Sequence, residues 1–497
     1  MTNLARNLAA TAATHPDRIA VKQDEQAYTY AEFEHLTQIL AGHLRAKGFV
    51  PGDRLALSLP NITAFPLAYY AALRLGCVVV PMNPLFKARE VEYYLRDSGA
   101  KLLIGLPNPD TSAGAEAAGV EYFEVTGLPQ LLATPVEKVA EIVDRDDEDT
   151  AVLLYTSGTT GAPKGAELRH RNLNSNQEVA SRTLLEVTPE DTLMGCLPLF
   201  HVFGMTAAMN IAVATGACLT LVPRFDPEAV LRTIERDRAT VFLGVPTMYG
   251  ALLGAQPQVQ ADVSTLRRCI SGGASLPVEL MRKFEAAFDC MILEGYGLSE
   301  TSPVASFNHP HLERKPGSIG TPIEGVEMDL HNEDGTPTPK GEIGEIVIRG
   351  DCLMRGYWNK PEATAQAIRE GGWFYSGDLA TRDDDGYYFI VDRSKDMIIR
   401  GGYNVYPREV EEVLYTHPDV VEVAVVGVPN AHLGEEVAAY VVLREGATAT
   451  EEDLQAYAKE QVAAYKYPRA IHLIDALPKG ATGKILKREL PRPAVGD

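Results

Sequence analysis

The sequence predicts an α/β protein of more than one domain, and three observations carry that expectation. At 497 residues the chain exceeds what one hydrophobic core normally serves. From the N-terminus, short apolar runs alternate with helical patterns, the β–α–β rhythm of a parallel sheet covered by helices. From Gly317 onward the rhythm gives way to short strands and glycine turns, as in a small β subdomain.

The elements follow in order. Thr29 to Phe33 opens a helix running to about Lys47, Arg54–Leu59 reads as a strand, Ala64–Leu75 as a helix and Cys77–Pro81 as a buried strand. Asn108–Gly119, rich in small and polar residues, reads as a loop. Ala151–Leu154 is a buried strand that runs into Tyr155-Thr156-Ser157-Gly158-Thr159-Thr160-Gly161-Ala162-Pro163-Lys164-Gly165. Glycines let backbone N–H groups close on an anion, hydroxyls add donors and Lys164 adds a charge, which equips this stretch to hold a polyphosphate. It is not a Walker A loop, because only Thr159 and Thr160 separate Gly158 from Gly161 and Pro163 precedes the lysine.

Leu193–Met205 is apolar apart from His201, and a lone histidine in such surroundings is ordinarily a satisfied core residue. Thr240–Met248 reads as a strand running into a loop, and strand C-terminal ends are where ligands bind in open α/β sheets. Arg267–Pro277 reads as strand, glycine loop and helix start, with Pro277 near the first turn. Its Gly272-Gly273-Ala274 would let backbone lie against a flat ring. The same Gly-Gly-Ala-Ser mimics a phosphopantetheine attachment site, a reading rejected because it lies mid-domain. Met291–Thr301 is again strand then loop. In it Tyr296 could stack on an aromatic base, and Glu300 could offer Mg2+ the oxygen ligand it prefers. Val326–Leu330 and Gly344–Gly350 are short strands, and Asp378 follows a glycine. Tyr387–Tyr403 is two apolar strands around a charged centre. Pro407 starts a helix to about Thr416, Val420–Gly427 and Val437–Leu443 are strands, and Thr450 with Asp453 forms a capping-box-like helix start.

Composition narrows the classes. Hydrophobic residues at 45% and charged residues at 23% are the balance of a soluble globular chain. A net charge of −21 sets nucleic-acid binding aside. An acidic chain that handles polyphosphate must gather its cations locally. The six cysteines include no C-x-x-C pair, so zinc and redox motifs are absent and a reducing compartment is expected. The N-terminus lacks an apolar h-region. The longest apolar stretches are short or interrupted, so neither a signal peptide nor a transmembrane span is expected and the location expected is the cytoplasm.

Taken in order, these segments resemble the core motifs of the adenylate-forming superfamily, which includes acyl-CoA synthetases, adenylation domains of peptide synthetases, and luciferases. The resemblance covers nearly the whole chain. Its carriers are Tyr155–Gly165, Pro198-Leu199-Phe200-His201, Gly295-Tyr296-Gly297-Leu298-Ser299-Glu300-Thr301, Asp378, Tyr387–Tyr403 and Pro478–Lys484. It implies a large N-terminal domain of βα-type sheets plus a small β subdomain (1–394), which binds ATP and the acyl substrate. A small mobile α+β C-terminal domain (395–497) would carry a catalytic lysine.

The resemblance also implies roles. ATP or AMP would meet Thr156, Ser157, Gly158, Thr159, Thr160, Gly161 and Lys164, then Gly272, Gly273 and Ala274, then Glu294 through Ser299, with Asp378 and Arg393 on the ribose. Thr156 and Glu300 would place Mg2+, and Lys484 would bridge the carboxylate and the α-phosphate. Catalysis would therefore rest on Lys484, Glu300 and Thr156. The acyl group would lie along His201, Val202, Phe203, Met205, Val245, Gly273 and Gly297, with His201 as a gate. Lys395 would be the hinge, and Arg400, Gly401, Gly402 and Tyr403 would line the path of a pantetheine arm.

Relatives that activate amino acids carry an aspartate in the segment matching Phe200–Met209. Here that segment has neither a carboxylate nor an arginine suited to a dicarboxylate, which implies an apolar monocarboxylic acid. A medium- or long-chain fatty acid is the first expectation and an aryl or cinnamate-type acid the alternative. The sequence ends soon after Lys484, so no fused carrier domain is expected and free coenzyme A is the default acceptor. A separate acyl carrier protein, through its phosphopantetheine thiol, is the alternative, and a second copy of the chain is a further candidate partner. A luciferase-like oxygenase has little support. The contrasting class, a non-catalytic nucleotide-binding protein, predicts loss of Lys484, Glu300 or Lys164, and all three are present.

Overall fold

Two largely parallel sheets carry most of the N-terminal part. The computed structural model describes residues 3–156 and 163–493. The first sheet runs Glu121–Glu124, Leu102–Gly105, Arg54–Ser58, Val78–Pro81, Thr150–Thr156, Lys164–Arg169. All neighbours are parallel except the last pair, which is antiparallel and sets Thr156 opposite Lys164. The second sheet has nine strands, in the order Thr321–Pro322, Val304–Phe307, Ile292–Gly297, Arg268–Ser271, Val241–Gly244, Thr192–Gly195, Cys218–Leu221, Ile19–Gln23, Gln26–Thr29. Its centre is parallel and its flanks are antiparallel. Val241, Phe242 and Leu243 are all 0% exposed, so the run is continuously apolar because both faces of the sheet are covered.

Helices obey the same logic. Thr29 and Glu32 form a capping box that starts the helix Tyr30–Ala46. Every residue of the helix Ala64–Arg74 is buried, which explains an apolar character that goes all round. Even Arg74 is enclosed. It pairs with Glu34 and donates to the carbonyl of Ala140 at 2.8 Å.

Two local expectations are corrected. Asn108–Gly119 is not a loop: Pro109–Ala118 is a helix. Asn108 caps it by accepting the Asp110 N–H at 2.8 Å, and Gly119 closes it in the left-handed conformation. The small residues that looked loop-like serve close packing, since a Cβ on Gly114 would lie 2.5 Å from Val91 Cβ. Nor does Thr240–Met248 end in a loop. The strand stops at Gly244 and the helix Pro246–Val259 begins almost at once, with Pro246 in its first turn.

The strand-rich region is a four-stranded antiparallel sheet of Val326–His331, Gly344–Gly350, Phe374–Arg382 and Tyr388–Arg393. Beyond the turn Ser394–Asp396 the chain enters another sheet, built from Ile398–Arg400, Tyr403–Val405, Val420–Asn430, Gly434–Leu443 and Ala470–Leu473. Helices Pro407–Tyr415 and Glu451–Gln461 cover it, and Val410, Leu414, Val425, Val437 and Leu454 form its own core. Large α/β sheets, a small β sheet and a smaller α+β unit make up the whole. No helix among the described residues is long and apolar enough to cross a membrane.

Candidate active site

Three adjacent parallel strands end on the same side of the nine-stranded sheet. Val241–Gly244 leads to Val245, Arg268–Ser271 leads to Gly272–Ala274, and Ile292–Gly297 leads to Leu298–Glu300. Such ends leave backbone groups free to meet a ligand. Two glycines are sterically required there. A Cβ on Gly297 would lie 1.7 Å from the Pro303 carbonyl oxygen, and Gly273 has φ +78. Gly272 faces Phe203, whose ring would be 3.2 Å from a Cβ at that position. Gly295 backs onto Phe307, and the Leu298 N–H donates to the Thr301 hydroxyl at 2.8 Å, turning the chain toward Ser299 and Glu300.

Glu300, on the segment after the strand Ile292–Gly297, is only 8% exposed. Its carboxylate accepts the Tyr357 hydroxyl at 2.9 Å and the Thr156 hydroxyl at 3.4 Å. Burial holds its carboxyl above the usual range, and the hydroxyl donors pull it partly back. The Lys164 ammonium sits 5.0 Å over the Tyr357 ring. Tyr357 thus joins the carboxylate to the lysine, and sequence reasoning missed it. It arrives on a segment that pairs with the free edge of Lys164–Arg169, through Glu167 N–H to the Gly356 carbonyl at 2.9 Å and Trp358 N–H to that of Gly165 at 2.8 Å. Ser157, Gly158, Thr159, Thr160 and Gly161 lie outside the described residues.

A second cluster forms where the four-stranded sheet meets this edge. Asp378 and Arg393 are register partners. Asp378 accepts the Tyr296 hydroxyl at 2.6 Å on one oxygen and pairs with Arg393 Nε at 2.9 Å on the other. Each carboxylate oxygen keeps a further lone pair for a ligand hydroxyl. Burial first, then Asp378, keeps the Tyr296 phenol protonated and donating. The charge of Asp378 holds the Arg393 guanidinium above its usual range.

Lys484 enters this cleft from the C-terminal part. Gly480 N–H donates to the Lys484 carbonyl at 2.8 Å, and the Gly483 carbonyl accepts the Thr247 hydroxyl at 2.8 Å. Gly483 has φ +78, and a Cβ there would lie 2.9 Å from Val245 Cγ2. The loop can therefore seat against Val245 and Thr247 only with glycine. Desolvation first, then the Arg393 charge, pushes the Lys484 ammonium down to about 8. Its side chain nevertheless remains exposed to solvent. Water there screens part of the effect.

His201 is half-buried beside this lysine. Burial and the Lys484 charge lower its imidazole to about 4, so it is neutral at neutral pH. Glu294 plays a different part from a ligand-facing group. It is 5% exposed, burial raises its carboxyl to about 7, and it accepts the Leu276 N–H at 3.1 Å, bracing the 272–276 loop from within. Val202, Met205 and Val245 are buried, while Phe203 is half-buried.

Other residues stay apart from the cleft cluster. Arg400 pairs with Glu436 at 2.8 Å, Gly401 N–H donates to the Leu433 carbonyl at 2.8 Å, Gly402 has φ +84, and Tyr403 stacks on Tyr465 at 4.8 Å. All these contacts lie within the C-terminal unit. Lys395, by contrast, is exposed in the turn between the two units but near enough for its charge to act on Lys484. Among the described residues no three or more His, Cys, Asp or Glu side chains gather as a metal cage. Paired oxygens from Thr156 and Glu300 suit Mg2+, which usually takes one or two protein carboxylates and completes its shell with phosphates and water.

Residues 8–358 match the family model described as AMP-binding enzyme, and residues 409–484 match that of the AMP-binding enzyme C-terminal domain. The chain belongs to the AMP-binding enzyme family. Within this adenylate-forming superfamily, the chain is 38% identical to a long-chain-fatty-acid–CoA ligase of Bacillus subtilis (strain 168), over 97% of this chain and 93% of the relative. It is 39% identical to a feruloyl-CoA synthase of Amycolatopsis sp, over 96% of each. MatB from Rhodopseudomonas palustris with ATP bound matches with a TM-score of 0.90 at 33% identity, over 98% of both chains. The apo form of MatB matches with 0.81 at 34% identity, again over 98% of both. This AMP-binding enzyme is an AMP-forming acid–thiol ligase that uses ATP and coenzyme A.

In the ligase without nucleotide, Lys484 should react with an amine-directed reagent along a titration centred on about 8. An ordinary lysine titrates at about 10.4. The neutral, nucleophilic amine dominates above the midpoint, so labelling rises through it. ATP adds anions that favour the ammonium and should move the midpoint upward. Peptide mass spectrometry across pH reads both effects, and an ordinary midpoint would show that the cleft does not desolvate this group.

Proposed function

We propose that the enzyme activates a medium- or long-chain fatty acid to its acyl adenylate, releasing pyrophosphate, and then transfers the acyl group to coenzyme A. The observation that carries the adenylation half is Lys484, seated in the cleft beside Arg393 and Asp378. The match to the ATP-bound form of MatB over its apo form supports the same arrangement.

A carboxylate is a poor acyl donor because oxide would have to leave. Its oxygen attacks the α-phosphorus, pyrophosphate departs, and the leaving group becomes AMP. The barrier is chiefly repulsion among anions, so preorganised cations and donors carry the catalysis. Lys484 would bridge the carboxylate and the α-phosphate, and Lys164 with the 156–164 stretch would hold the outer phosphates. Asp378 and Arg393 would take the ribose, and the Gly272–Ala274 and Gly295–Gly297 backbones would flank the base. Thr156 and Glu300 would hold Mg2+, which neutralises phosphate charge. Contacts of this kind are each worth about 3–4 kcal/mol.

For the thiol step, the unit beyond Lys395 would rotate, withdrawing Lys484 and presenting Arg400–Tyr403 to the cleft. The chain then divides functionally into 1–394 and 395–497. The uncharged Phe200–Met209 segment supports an apolar acid. An aryl or cinnamate-type acid is the second reading, favoured by the feruloyl-CoA synthase relative. A carrier-protein thiol is the alternative acceptor.

Pyrophosphate release with fatty acids of graded length, cinnamate-type acids and short acids tests the substrate. A maximum among the fatty acids is expected, and a maximum among the cinnamate-type acids would favour the second reading. Repeating the panel with coenzyme A and then with carrier protein identifies the acceptor. Lys484→Ala should reduce adenylate formation by about 10²- to 10³-fold, while thioester formation from supplied acyl adenylate persists. Equal loss in both half-reactions would refute domain alternation. Tyr357→Phe removes a donor from Glu300. ATP binding measured by calorimetry with Mg2+ present should weaken by about tenfold, with little change when Mg2+ is chelated.

A further inference from the structure

Helix Pro407–Tyr415 is the first helix after the Ser394–Asp396 turn. Val410 and Leu414 face its own unit's core. Arg408 and Glu412, four residues apart, share a face that meets the N-terminal part. The Arg408 side chain is 14% exposed. Its Nη1 donates to the Ile390 carbonyl at 2.7 Å and its Nη2 to the Gly317 carbonyl at 3.3 Å. Its backbone N–H donates to Asp392 Oδ2 at 3.0 Å. All three acceptors precede the turn. Glu412 approaches Arg408 Nε only to 3.8 Å and itself accepts the Val278 N–H.

A buried guanidinium is costly unless its donors are matched. Here the side chain's close acceptors are backbone carbonyls rather than a carboxylate, so geometry holds it. In this structure those contacts accompany a C-terminal unit docked with Lys484 at the cleft. Glu294 lies in reach of the Arg408 charge and holds the Leu276 N–H of the glycine loop.

We infer that Arg408 is a positioning residue for adenylation: it docks the C-terminal unit on Ile390 and Gly317 so that Lys484 reaches the cleft. The inference rests on the two-step reading proposed above. When the unit turns for the thiol step, the Arg408 donors return to water, so Arg408 serves only the first half of the reaction.

Arg408→Met keeps the side-chain length and removes the donors. It should lower acid-dependent ATP–pyrophosphate exchange about tenfold or more and leave thioester formation from supplied acyl adenylate and coenzyme A essentially unchanged. Arg408→Lys keeps the charge but cannot span both carbonyls, and should recover little of the exchange. Trypsin cleavage at the turn in the presence of ATP should be faster in Arg408→Met. Equal loss in both half-reactions, no loss in either, or unchanged cleavage overturns the role of Arg408. Lys484→Ala run alongside separates the ideas. If it splits the half-reactions and Arg408→Met does not, only the Arg408 inference fails; if Lys484→Ala also loses both equally, domain alternation fails with it.

Discussion

A lysine ammonium gathered beside other cations is the constraint on which the site depends. Lys484 sits near Arg393 and Lys395, with Asp378 and Asp396 as the opposing charges. Desolvation and like charge disfavour its ammonium. The protein as a whole is acidic, at −21, so its cations are effective because they are gathered. Gathering requires a bridge across the chain. The Thr247 hydroxyl holds the Gly483 carbonyl 236 residues away, and Val245 leaves room there only for glycine.

The rest of the cleft follows a common economy. Parallel strands bury their apolar runs and release backbone and side chains at their C-terminal ends, so adjacent strands deliver adjacent loops. Buried carboxylates then act on protein groups. Glu294 braces the glycine loop, Asp378 links Tyr296 to Arg393, and Glu300 is shared by Thr156 and Tyr357. Each is satisfied before substrate arrives, which suits preorganisation.

Legibility from sequence divided along physical lines. Thr29 with Glu32 and Thr450 with Asp453 were readable as helix starts because both partners lie within one turn. Asn108–Gly119 carried equally local signals, a cap, a proline and a closing glycine, but its small residues suggested a loop until Gly114 was seen against Val91. Glu300 and Tyr296 stood out in their motif, while Tyr357 did not. Its link to Glu300 spans 57 residues and depends on an edge pairing that no local pattern announces. Arg408 reads as an ordinary surface arginine on an amphipathic helix, and only the opposite face of the interface shows otherwise.

The sequence by itself determined the α/β class, the family motifs and the acidic balance of the chain, because these depend on periodicity, composition and local order. Tertiary structure decided which groups meet. It seated Lys484 beside Arg393 and left Arg400–Tyr403 within its own unit. It buried Glu300 and turned Arg408 inward. Such outcomes depend on distance through space between residues far apart in the chain, and on desolvation, which a residue acquires only when its neighbours are packed around it.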